Sequence, residues 1–244
     1  MSVSKMSNSS SNKVSTTTLV ALTFILAAVG GLTVVIVMGG YSPLDFVRNI
    51  FDQLFAASSV QAMWYVTRAA GLISYLLLWL STVWGLGVSS KIFDPVLHRA
   101  FAYDFHQFLS LLAIGFVILH IVVLLADQYL PFSVAQVLVP FAAPYRPVWV
   151  GLGTIGLYLT LLVSITFYIR RQIGQKAFRF IHFASYLAFL AAAVHGLLSG
   201  TDSPLVTVRA MYFGTALIVV FLTAYRIFMS AQAKRQRAAL SGRA

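Results

Sequence analysis

The chain has 244 residues, is 59% hydrophobic and only 9% charged, and has a mean hydropathy of +0.87. That is more apolar surface than a soluble core of this length can bury, so an integral membrane protein is expected. With no cysteine, disulfides, iron–sulfur clusters and thiolate metal sites are excluded. With no glutamate and six aspartates, a carboxylate-rich metal cage is not expected. The formal charge of +11 sits mostly at the ends of apolar runs, as membrane topology requires, and no nucleic-acid partner is expected.

Residues 1–17 are rich in Ser, Asn and Thr, carry Lys5 and Lys13, and read as a disordered cytoplasmic tail. The apolar run from Leu19 to Met38 is longer than a usual signal core and no small-residue cleavage site follows it. It is read as a retained first span. Gly39, Gly40 and Pro43 break it, and a loop with Asp45, Arg48 and Asp52 leads to a second span, about Trp64 to Val88. Lys91, Asp94, Pro95, His98 and Arg99 form the next loop, and the third span runs from about Asp104 to Ala126. A long connection from Asp127 to Pro147 holds four prolines around an apolar middle, Phe132 to Phe141. It is expected to lie in the interface or fold over the bundle. The fourth span is about Val148 to Ile169, the fifth about Phe178 to Ser199 and the sixth about Val206 to Phe228. Gly200 to Pro204 reads as a turn, and residues 229–244 as a basic cytoplasmic tail. The expected fold is therefore an all-α integral membrane protein, a six-transmembrane-helix bundle over residues 18–228.

Six spans place thirteen Lys and Arg on the side of both termini and four on the other. The positive-inside rule then predicts a multi-pass plasma-membrane protein with both termini cytoplasmic.

Four of the five histidines lie inside spans. His106 and His120 bracket an apolar run of the third; their fourteen steps rise about 21 Å and fall roughly 40° short of four turns. His182 and His195 bracket a similar run of the fifth, thirteen steps and about 19.5 Å apart. The third and fifth spans run in the same direction, so His106 is level with His182 and His120 with His195. Ionisable residues at membrane depth mark function by default. A bare metal such as zinc needs three or four protein ligands at one depth, and each level here offers two. Haem needs only axial ligands, so an imidazole from each span completes an iron and leaves no open position. This predicts haem b at two depths, with the pairs His106/His182 and His120/His195 as iron ligands and a single haem as the alternative. One misfit stands out: thirteen steps turn about 220° past three turns, so His182 and His195 leave different faces of an ideal helix.

Around these ligands, Ser110 and Ser185 each lie about a turn from a histidine; bonding to their own i−4 carbonyls is the favoured reading. Arg99, Lys176 and Arg179 at the inner face read as topology signals as readily as partners of haem propionates. Arg68, about a turn inside its span, is the stronger propionate candidate, because an unpaired cation there is costly. Asp127 and Asp202 each lie seven residues beyond an outer histidine. They read as solvated loop residues, with attraction of a cationic acceptor or partner as the alternative.

On these residues the stretch from about Trp64 to Phe228 resembles the ferric reductase-like transmembrane domain. That domain is shared by ferric reductases, NADPH oxidases and the haem subunit of a bacterial methionine sulfoxide reductase. The resemblance rests on Arg68 in Thr-Arg-Ala-Ala-Gly, the two histidine pairs, and His-Gly-Leu-Leu-Ser-Gly-Thr-Asp from His195. It implies haem b between the third and fifth helices of a six-helix bundle. It also implies electron flow from a cytoplasmic flavin toward the far side. Two departures qualify it. Only residues 229–244 follow the last span, too few for a flavin and nicotinamide module, so flavin is expected only through a partner. Leu124 stands where superoxide-forming relatives place a further histidine. The expected function is a transmembrane haem b electron-transfer subunit of an oxidoreductase. Its donor would be a cytoplasmic flavoprotein or quinol, and its acceptor outside ferric iron or a partner redox protein. A proton-relay transporter or channel without haem is the alternative from a different class.

Overall fold

A computed structural model describes residues 59–127 and 130–241. The expected tail at residues 1–17, the first span at Leu19 to Met38 and the loop with Asp45, Arg48 and Asp52 lie outside the described residues. Within them the chain is helical, with no strand. The helices are α1 (Ser59–Ser89), α2 (Arg99–Ala126), α3 (Val134–Leu138), α4 (Pro147–Tyr168), α5 (Arg170–His182), α6 (Ala184–Ser199) and α7 (Val206–Ser241). Five segments are long and apolar enough to cross a membrane: Ala62–Ser89, Arg99–Ala126, Pro147–Tyr168, Arg170–Ser199 and Val206–Arg235. They match the second to sixth expected spans.

Each span buries a narrow stripe and turns the rest outward. On α2 the buried residues are Ala102, Leu109, Ala113 and Val123, while Phe108, Leu111, Ile118 and Val122 are exposed. Large apolar side chains outside the core are what a hydrocarbon solvent accommodates. The backbones of α2 and α6 make little direct contact; each packs against α1 and against α4. These four helices thus form a ring, with α2 and α6 diagonally opposed across its middle. The α4–α6 seam is made of small residues, Gly156 lying against Ala188 and Ala191, which lets two helix backbones approach closely. α7 closes the other side of α1. There Tyr75 stacks on Phe189 and lies tilted against Tyr212, and its hydroxyl lies 2.5 Å from Thr215 Oγ1.

The connection before α4 folds over the bundle, as its apolar middle predicts. A capping box between Ser133 and Gln136 starts α3. Phe132, Val137 and Ala143 are buried against Ile121, Leu124 and Leu125 of α2. Thr154 Oγ1 donates to the Val137 carbonyl at 3.0 Å. The chain then turns into α4 through Arg146, in the left-handed region at φ 42°, and Pro147, whose fixed φ suits a first helical turn.

Two boundaries differ from the sequence reading. Helix α7 continues to Ser241, taking in most of the segment read as a basic tail. Ala, Gln, Lys and Arg are strong helix formers and extend the turn sequence past the apolar stretch. The fifth span is interrupted at Phe183, directly after His182, and Gly174 earlier in α5 has a non-helical φ of 78°.

Candidate functional site

α1 and α2 run antiparallel, and their register repeats along the pair. Gly71 of α1 meets His120 of α2, and fourteen residues on, Gly85 meets His106. A methyl group on either glycine would stand 3.0 Å from the facing imidazole. α4 repeats the device from the other side of the ring: a methyl on Gly153 would lie 2.6 Å from His195 Nδ1. Three of the four histidines therefore rest in hollows that only glycine leaves open.

The backbone also orients the rings. His120 Nδ1–H donates to the Thr67 carbonyl at 2.7 Å, and His195 Nδ1–H donates to the Trp149 carbonyl at 2.9 Å. A carbonyl can only accept, so Nδ1 carries the proton and Nε2 keeps its lone pair for a metal. His106 Nδ1 lies 3.2 Å from Ser81 Oγ, and Ser81 Oγ lies 2.8 Å from Ser110 Oγ. Ser110 also donates to the His106 carbonyl at 2.9 Å, the i−4 bond expected of it. His182 Nδ1 is buried without a hydrogen-bond partner among the described residues.

The structure sets His106 against His182 and places His195 near His120. The rings of His106 and His182 have centroids 6.1 Å apart and planes at 75°. His195 lies within electrostatic reach of His120. The misfit of the thirteen-residue spacing is met at Phe183. There the amide bonds both the Arg179 and Phe180 carbonyls, and the Tyr186 amide bonds the Phe183 carbonyl three residues back. Each residue in this tighter winding adds about 20° of turn, moving His195 toward the phase of His182.

A haem iron takes one imidazole from each side, a need that paired rings fit. Among the described residues no three metal-ligating side chains converge. An imidazole binds a metal at about 2 Å, so rings on opposite sides of one iron have centroids roughly 6 Å apart, as His106 and His182 do. The glycine hollows seat three of the four rings between the diagonally opposed α2 and α6.

The outer residues are arranged differently from their sequence reading. Arg68 is paired within the protein: its Nε donates to Asp202 Oδ2 at 2.6 Å, Nη2 meets Oδ1, and the guanidinium lies 4.0 Å over the Trp64 ring. The half-buried cation takes a carboxylate from the α6–α7 turn, which supplies the neutralisation that a propionate was expected to give. Asp202 is thus no solvated loop residue, and Asp127 is buried at 3% exposure. At the opposite end Arg99 forks onto Asp94 at 3.2 and 3.0 Å, and Arg179 bonds the Gln175 carbonyl, so both serve their own helix ends.

Sequence reasoning missed Ser81, Gly71, Gly85, Gly153 and the Thr67 and Trp149 carbonyls. A signal for four of these six was present: Thr67/Ser81 and Gly71/Gly85 carry the same spacing of fourteen as His106/His120. Comparison with family models, with curated proteins and with solved structures finds no match to this chain, so the functional reading rests on the site itself.

Proposed function

We propose that this protein is the membrane haem b component of an oxidoreductase. It would carry electrons between a cytoplasmic donor, a flavoprotein or quinol, and an acceptor outside, ferric iron or a partner redox protein. The observation that carries this reading is the facing pair His106/His182, at the separation two axial ligands of one iron require, together with a second pair about 21 Å along the same helix.

Bound haem would supply an iron that alternates between ferric and ferrous, accepting and releasing one electron. The chain's own residues would do the rest. His106 and His182 at one level, and His120 and His195 at the other, would hold the iron through Nε2. Thr67 and Trp149 fix the tautomers of the second pair through their carbonyls. Gly71, Gly85 and Gly153 let the rings reach their positions without distorting the helices. With two protein ligands per iron no coordination position stays open, which suits electron transfer over binding of oxygen. Arg68 and Asp202 tie the start of α1 to the α6–α7 turn at the His120/His195 end.

The test is a reduced-minus-oxidised visible spectrum of the detergent-purified protein, with haem per chain from a pyridine haemochrome assay. Two low-spin haem b groups are expected, and His120→Ala should lose one and stop transfer. A colourless protein, even when expressed with haem supplied, would move the reading to a proton-relay transporter.

A further inference from the structure

We propose that the Nδ1 partners of the histidines set the two haem levels at different reduction potentials, the His106/His182 level being the more easily reduced, with Ser81 as its positioning residue. This rests on the haem reading above. It concerns what the chain does to each level once loaded.

A hydrogen bond from Nδ1–H to a strong acceptor pushes electron density toward Nε2. The imidazole becomes a better donor, which favours ferric over ferrous iron and lowers the potential. At the His120/His195 level both rings have such an acceptor, backbone carbonyls at 2.7 and 2.9 Å. At the His106/His182 level neither does. With Nε2 on iron, His106 Nδ1–H must donate to Ser81 Oγ, a longer bond at 3.2 Å to a weaker acceptor. Ser81 passes its own proton to Ser110 Oγ, and Ser110 donates to the His106 carbonyl, so the chain closes on the residue where it began. Ser81 is 4% exposed, which shuts out water as a substitute acceptor. His182 Nδ1 has no acceptor among the described residues.

Charge acts in the same direction. Arg226 of α7 lies within electrostatic reach of His182, and a nearby cation favours the reduced iron. At the other level the cation beside Thr67, Arg68, is cancelled by Asp202.

Spectropotentiometry of the full-length purified protein tests this. Two one-electron waves are expected, separated by at least tenfold in reduced-to-oxidised ratio, about 59 mV. His120→Ala should keep the higher wave and His106→Ala the lower. Ser81→Ala should shift the higher wave upward and leave the lower in place, and Ser81→Thr, which retains the hydroxyl, should restore it. Coincident waves, a single wave, the reverse assignment, or a Ser81→Ala shift confined to the lower wave would overturn the proposal. If Ser81→Ala does not accumulate, the assignment of the two waves by His120→Ala and His106→Ala decides alone. A protein that binds no haem would instead overturn the reading on which the proposal stands, and the spectrum separates that failure from this one.

Discussion

Replacing a helix-interior glycine by alanine ordinarily stabilises the helix, by about 0.5–1 kcal/mol. At Gly153 that gain meets a methyl 2.6 Å from His195 Nδ1, and the imidazole or the α4 backbone has to move. Gly153→Ala is therefore expected to lower haem content from two per chain toward one, read by pyridine haemochrome, without lowering the thermal midpoint of the apoprotein. Gly115 of α2 is the matched control, since a methyl there meets nothing within 4 Å. Gly115→Ala should bind haem normally. Equal losses in both variants would mean that the hollow beside His195 is not what admits the ring. The histidines themselves were legible in the sequence, because ionisable residues stand out against apolar runs. The hollows were not, since a glycine in a membrane helix has many uses and only the facing ring shows which applies.

Helices are held to one another at a few polar points, and each gives an expected loss. Arg68→Gln removes a charge-assisted bond between α1 and the α6–α7 turn, worth about 1.5–3 kcal/mol, and strands Asp202. A clear drop in the midpoint of thermal unfolding is expected. Arg68→Lys should recover only part of it, because an ammonium cannot fork onto the carboxylate while lying flat over Trp64. Full recovery by lysine would show that charge alone matters there. Tyr75→Phe keeps the ring contacts with Phe189 and Tyr212 but loses the hydroxyl bond to Thr215, about 0.5–1.5 kcal/mol. Thr215 still bonds the Met211 carbonyl, so haem content should stay unchanged. Five spans were legible as apolar runs of membrane length, and the fold-over of the 127–147 connection followed from its apolar middle. The break at Phe183 was legible only as a misfit in phase. The partnership of Arg68 with Asp202 joins residues 134 apart in sequence, and no local pattern encodes such a distance.

For the whole molecule, orientation decides which surface each histidine pair serves. The absence of cysteine makes this simple to read, because one introduced thiol is unique in the chain. Gln175 and Thr201 are both exposed, at opposite ends of the α5–α6 segment. With an impermeant maleimide added to intact cells, Thr201→Cys is expected to be labelled and Gln175→Cys to be labelled only after lysis. The opposite pattern would reverse the direction of electron flow proposed above. The matched spacing of fourteen in α1 and α2 has a further consequence, for how the chain tolerates insertions and deletions. Adding one residue between His106 and His120 would swing one imidazole about 100° away from its glycine, and one added residue between Gly71 and Gly85 as well would match the rise but turn that glycine about 100° off the shared face too. Length changes in this part of the protein are thus coupled across two helices: a lone insertion should abolish one site, and only an addition close to whole turns in both helices, about seven residues in each, should keep glycine facing ring.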